Sequence, residues 1–125
     1  MKVLIVDDHR FNRNLLMKRC ERLGHQVQCA ANGREAIDLA IEEEFDLILM
    51  DLRMPEVDGY QATKEIKNSE KSKSVPIIAI SANTSKDEIE KALKCGCERF
   101  LTKPIMKYQL VEILEEFGSL HLTGE

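Results

Sequence analysis

The sequence predicts an α/β fold: a five-stranded parallel sheet of order 2-1-3-4-5, doubly wound by five helices into a three-layer (βα)5 sandwich. Three observations lead there. Val3 to Val6, Leu47 to Met50 and Ile77 to Ile80 are almost continuously apolar, the pattern of strands covered on both faces of a parallel sheet. Helical stripes separate them. Two further strand-like segments mix polar and apolar residues, as edge strands do, and placing the second and fifth strands at the edges with right-handed crossovers leaves the order 2-1-3-4-5.

The elements follow in order along the chain. The first strand, Val3 to Val6, runs into Asp7-Asp8. Phe11 to Leu23 reads as the first helix, ended by Gly24 as a C-terminal cap. QVQCA, Gln26 to Ala30, alternates as an edge strand, and Ala36, Ile37, Ala40 and Ile41 mark the second helix. The third strand, Leu47 to Met50, meets a carboxylate at Asp51, after which Tyr60 to Lys67 is helical. SEKSKS, Ser69 to Ser74, is expected as a polar surface loop. Pro76 precedes the fourth strand, which ends at Ser81; Ser85 to Lys94 is the fourth helix, with Gly96 as its cap. ERFLT, Glu98 to Thr102, supplies the other edge strand and leads into Lys103-Pro104. Met106, Leu110, Ile113, Leu114 and Phe117 form the fullest apolar stripe, that of the fifth helix. No repeat or linker interrupts the pattern. Residues 1–125 are expected to be one domain, with a core over about 2–117 and a short polar tail over 118–125.

Bulk properties narrow the function. A chain of 125 residues, 43% hydrophobic and 32% charged, has the length and composition of one globular domain. Its formal net charge of -4 argues against direct nucleic-acid binding, which needs a basic face. No apolar run approaches the ~20 residues of a membrane span, and MKVLIVDDHR lacks the plan of a signal peptide, so no membrane association and a cytoplasmic location are expected. Cys95 and Cys97 form a C-x-C pair without zinc-site spacing, while Cys20 and Cys29 occupy apolar positions; all four are expected as reduced thiols in or near the core. His9, His25 and His121 show no ligand spacing and are expected as bystanders.

The strand ends carry the chemistry. In an open α/β sheet a ligand binds at the carboxyl ends of the strands, where the strand order reverses. For the order above, that point lies between the first and third strands, so Asp51 faces Asp7 and Asp8. Three acids in one crevice cannot all ionise without a cation. All-oxygen ligation favours a hard ion such as Mg2+ or Mn2+, which keeps several waters and leaves room for a phosphate. Ser81 adds a hydroxyl and Lys103 an ammonium suited to a phosphoryl oxygen. Metal, carboxylate nucleophile, hydroxyl and cation together fit formation of an aspartyl phosphate. Each residue alone also has a structural reading: acids before a helix cap it, and a lysine before proline is an ordinary loop residue.

In LIVDD, LILMDLRMPEVDG, IIAISAN and FLTKPI the chain resembles the receiver domain of response regulators in two-component signalling, from Lys2 to about Phe117. The family has a flavodoxin-like fold with this same strand order and includes stand-alone chemotaxis regulators. The Asn12-Arg13 pair resembles receivers attached to hybrid histidine kinases. The resemblance implies Asp51 as phosphoacceptor and metal ligand, Asp8 as a direct Mg2+ ligand, Asp7 as a ligand directly or through water, and the backbone carbonyl of Arg53 as a further ligand. It implies that Ser81 and Lys103 hold phosphoryl oxygens and that Lys103-Pro104 is a cis peptide. The donor would be a histidine kinase or a histidine phosphotransfer domain. The downstream protein target stays open, and a phosphorylation-dependent dimer is one outcome the family allows. Ser81 would follow the phosphoryl group and let the Phe100 ring turn inward, changing the face of the fourth helix, fifth strand and fifth helix. Arg53 and Asn83, each two residues beyond a site residue, are expected to tune the phosphoryl lifetime, with the Arg53 guanidinium either lying across the phosphoryl group or pointing into solvent.

A rival reading is an aspartate-nucleophile phosphatase resembling the haloacid dehalogenase family, which also combines aspartate, hydroxyl, lysine and Mg2+ at strand ends. That family wants D-x-D at the nucleophile, whereas Asp51 is followed by Leu52 and Arg53. A dinucleotide-binding domain is third, because no G-x-G-x-x-G follows the first strand.

Overall fold

The computed structural model describes the backbone of residues 1–123 and the side chains of residues 1–118. Five strands and five helices alternate: β1 Lys2–Val6, α1 Arg10–Arg22, β2 Gln26–Ala30, α2 Gly33–Glu42, β3 Leu47–Asp51, α3 Gly59–Asn68, β4 Ile77–Ser81, α4 Lys86–Cys95, β5 Arg99–Thr102 and α5 Lys107–Thr123. All strand pairs are parallel and the order is β2-β1-β3-β4-β5. This is the flavodoxin-like (βα)5 sandwich.

Side-chain alternation divides the core into two clusters, one on each face of the sheet. Leu4, Val6, Ile48, Met50, Ile77 and Ala79 point to one face, beneath α2, α3 and α4. Val3, Ile5, Leu47, Leu49, Ile78 and Ile80 point to the other, with Leu16 and Cys20 of α1 and the Leu110–Leu114 stripe of α5. Every residue of β3 and β4 is buried, whereas β2 and β5 keep exposed or half-buried positions, as edge strands must. Among the described residues, no helix is long and apolar enough to cross a membrane.

Helix boundaries have local causes. Asn32, Asp58 and Ser85 accept backbone N–H bonds from Glu35, Gln61 and Glu88, so each of α2, α3 and α4 starts on a side-chain cap. Gly24 (φ 92°) and Gly96 (φ 116°) take the left-handed conformation that ends α1 and α4.

Two local expectations are corrected. The 69–74 segment is not wholly a surface loop: Ser72 is buried, and its hydroxyl donates to the Ile66 carbonyl at 2.7 Å. The expected tail beyond residue 117 is instead helical to Thr123, because one glycine, Gly118, weakens a helix without stopping it and no proline follows. The side chain of His121 and residues 124–125 fall outside the described residues. All four cysteines are free, with Cys20, Cys95 and Cys97 buried.

Candidate functional site

Strand register assembles the site. Val6 of β1 is level with Met50 of β3, so the next residues, Asp7 and Asp51, emerge side by side at the carboxyl edge. Ser81 of β4 is level with Thr102 of β5, which places Lys103 one step beyond it, its N–H donating to the Ser81 carbonyl at 2.9 Å. Four strand ends therefore deliver polar groups to one crevice.

Carboxylate oxygens of Asp7, Asp8 and Asp51 lie within 4.8 Å of one another. Asp7 and Asp51 are buried; Asp8 is exposed. The Lys103 ammonium bridges the two buried acids, 3.2 Å from Asp51 Oδ2 and 3.6 Å from Asp7 Oδ2. The other oxygen of each accepts a backbone N–H two residues on: Arg53 to Asp51 Oδ1 at 3.2 Å, and His9 to Asp7 Oδ1 at 2.8 Å. Burial pushes the Asp51 carboxyl up to about 6; Lys103 and the Arg53 N–H pull it down, and the Asp7 charge adds to the rise. At neutral pH the carboxylate is ionised, yet held at a cost that a cation would relieve. A hard ion fits this donor set: three carboxylates, all oxygen, one of them open to solvent.

Ser81 Oγ accepts the Asn83 N–H at 3.1 Å and keeps its own proton to donate. The Asn83 side chain is engaged elsewhere, its Oδ1 accepting the Ser85 N–H at 2.9 Å in the turn leading to α4. Lys103-Pro104 is a cis peptide. Phe100 of β5, level with Ala79 of β4, is half-buried against the cluster beneath α2, α3 and α4.

The Arg53 side chain is largely exposed and leans away from Asp51. Its guanidinium pairs with Glu88 Oε2 on α4 at 2.9 Å. Asp51 already has Lys103 as its counter-ion, whereas Glu88 is an acid within reach whose other oxygen is fixed by the Tyr60 hydroxyl. Glu88 and Tyr60 carried no motif and were invisible in the sequence; their pairing across 28 residues is a tertiary event. Arg13 has a local role as well, its guanidinium donating to the Asp7 carbonyl at 2.8 Å. His9 caps α1, Nδ1 accepting the Asn12 N–H at 3.5 Å. His25 Nδ1 lies 3.0 Å from the Met1 amino group, far from the crevice along the sheet.

Comparison with known proteins agrees with this geometry. Residues 3–115 match the response regulator receiver domain family. The chain is 39% identical over 98% of its length to hybrid signal transduction histidine kinase G of Dictyostelium discoideum, of which it spans 4%. It is 36% identical to the polar-differentiation response regulator DivK of Brucella anthropi, covering 92% of this chain and 94% of that one. Among solved structures, the receiver domain of sensor histidine kinase PA1611 from Pseudomonas aeruginosa, with a magnesium ion coordinated in its active-site cleft, superposes with a TM-score of 0.87 at 36% identity, covering 93% of this chain and 95% of that one. The receiver domain of Saccharomyces cerevisiae Ssk1, solved with the histidine phosphotransfer protein Ypd1, gives a TM-score of 0.90 at 32% identity, covering 97% and 90%. The aspartate cluster and these relatives together support a phosphoaccepting aspartate and a site able to coordinate Mg2+. Receivers are switched by their phosphorylation state and are not turnover enzymes, which sets aside the phosphatase reading. The chain belongs to the response regulator receiver domain family of two-component signalling.

Proposed function

We propose that the chain accepts a phosphoryl group from a phosphohistidine donor onto Asp51, in a Mg2+-dependent reaction in the cytoplasm, and that phosphorylation changes the face formed by α4, β5 and α5. The observation that carries this reading is the Lys103 ammonium between Asp51 and Asp7, beside an oxygen cluster able to hold a divalent cation.

An Asp51 carboxylate oxygen attacks phosphorus, the P–N bond of the donor breaks, and the electron pair leaves with the imidazole nitrogen. Ser81 Oγ–H donates to one phosphoryl oxygen, and Lys103 transfers its pairing from the Asp51 carboxylate to another. Asp7, Asp8 and Asp51, with the Arg53 backbone carbonyl, would hold the metal, whose charge would offset that of the transferring group. Residues 2–117 are the receiver unit in this reading.

The mouth of the crevice suits a protein donor. A cavity of about 480 Å³ lies beside it, lined by Leu15, Leu16, Lys103, Pro104, Ile105 and Met106. Phe11, Leu15 and Met106 are large apolar residues left exposed along this approach. Such a rim favours a histidine kinase or histidine phosphotransfer domain presenting an apolar helix face. The likeness to a hybrid histidine kinase and to a receiver solved with a phosphotransfer protein supports the same donor class.

Beryllofluoride, which mimics the phosphoryl group, tests the switch. With Mg2+ present, NMR shift changes are expected over 82–95 and 100–107 as well as at the crevice, a population shift between two states. Changes confined to residues touching the metal would contradict a switched face.

A further inference from the structure

Arg53, Glu88, Tyr60 and Lys91 form a charged cluster beside the crevice that phosphoryl transfer does not use. The base of Arg53 is tied to the acceptor through its N–H bond to Asp51 Oδ1, but its guanidinium leans the other way, onto Glu88. Glu88 is not an ordinary surface acid. Its side chain is only 10% exposed, one oxygen takes Arg53, and the other accepts the Tyr60 hydroxyl proton. Tyr60 is itself buried at the start of α3, with the Lys91 ammonium 4.2 Å from its ring centroid. Glu88 also lies in the first turn of α4, where the helix dipole favours an anion. The Tyr60 hydrogen bond, and then Arg53, hold the Glu88 carboxyl below its usual range against the cost of its burial.

We propose that Glu88, braced by Tyr60, is a positioning residue that holds the Arg53 guanidinium off Asp51 and competes with the phosphoryl group for it. This rests on phosphorylation of Asp51. A phosphoryl group carrying about -1.5 to -2 charges offers Arg53 a second anion next to the point where its backbone is already fixed. The guanidinium divides between the two, and each transfer to the phosphoryl side unties the acceptor loop from α4. Glu88 therefore links the occupancy of Asp51 to the start of α4. Asp58 also acts on the Tyr60 hydroxyl through its charge, and its carboxylate is held as the cap of α3, accepting the Gln61 N–H at 2.9 Å.

A double-mutant cycle tests this. The full chain is titrated with beryllofluoride in excess Mg2+ as wild type, Glu88→Gln, Arg53→Ala and the double variant, following α4 amides and the Tyr60 ring by NMR. Glutamine keeps an acceptor for Tyr60 but loses the charge that retains Arg53. Glu88→Gln is expected to tighten beryllofluoride binding about fivefold, the shift a partly exposed ion pair supports, and to change it less than about 1.5-fold when Arg53 is alanine. The Tyr60 ring signals should move further on binding in wild type than in Arg53→Ala, where only the general shift of α4 reaches them. Equal tightening in both backgrounds would assign the effect to bulk charge and overturn the proposal, as would no tightening in either. Failure of every protein, wild type included, to take up beryllofluoride overturns the phosphoacceptor reading and this proposal with it.

Discussion

Asp51→Asn is expected to be more stable than wild type at pH 7.5 in the absence of divalent metal. The Asp51 carboxyl sits at about 6 in the folded protein against an ordinary 3.8, chiefly because it is buried. The folded state thus binds this proton more tightly than the unfolded chain does. The associated stability is complete below about pH 4 and is lost as pH rises towards 6, where the folded protein must ionise a desolvated acid. At ~1.4 kcal/mol per pH unit, the strain at neutral pH is on the order of 3 kcal/mol. Asparagine removes it, and Lys103 keeps Asp7 at 3.6 Å as a partner. Denaturant unfolding should place the variant about 2–3 kcal/mol above wild type at pH 7.5, with the gap closing by about pH 4. Added Mg2+ should narrow the gap by stabilising wild type. A variant no more stable than wild type at pH 7.5 contradicts the strained-carboxylate account.

Gly59→Ala is expected to have the opposite and larger effect. Gly59 opens α3, and its N–H donates to the Leu52 carbonyl at 3.1 Å, drawing the helix start against the end of β3. A Cβ there would lie 2.3 Å from the Asp51 carbonyl oxygen and 2.6 Å from Leu52 Cα. Both are backbone atoms, so nothing flexible can yield; either α3 moves out or the acceptor strand shifts. The cost should reach about 3 kcal/mol or more, measured by thermal or denaturant unfolding. Gly24→Asn is the control. Its site is left-handed, with nothing within 4 Å of the added Cβ, so the loss should stay near 1 kcal/mol or below. Similar losses at the two positions would show that close packing at the acceptor strand is not the cause.

The parts legible in the sequence were those set by repetition or by spacing along the chain. Continuous apolar runs marked β1, β3 and β4 because a strand covered on both faces has no polar side to show, and the mixed runs marked β2 and β5 as edges. The crevice followed, since parallel strands place their carboxyl ends together and Asp7, Asp51, Ser81 and Lys103 each stand at or just past a strand end. Contacts between distant residues left no such trace. Ser72 is buried by a single hydroxyl bond to Ile66 inside a charged segment, where no period reveals it. Arg53 was readable as a cation beside the acceptor, but its partner Glu88 is 35 residues away on α4. The full length of α5 was not legible because its apolar stripe closes at Phe117, while the helix continues to Thr123.

The central claim is that Asp51 takes the phosphoryl group with the help of a divalent cation. Intact-mass measurement after incubation with a small phosphodonor tests it most directly, on wild type and Asp51→Asn, each with Mg2+ and with a chelator. One added phosphoryl group is expected on wild type with Mg2+, lost on mild alkaline or hydroxylamine treatment as an acyl phosphate should be, and none in the other three samples. Phosphorylation of Asp51→Asn at the wild-type rate, or of wild type unaffected by the chelator, would contradict the account.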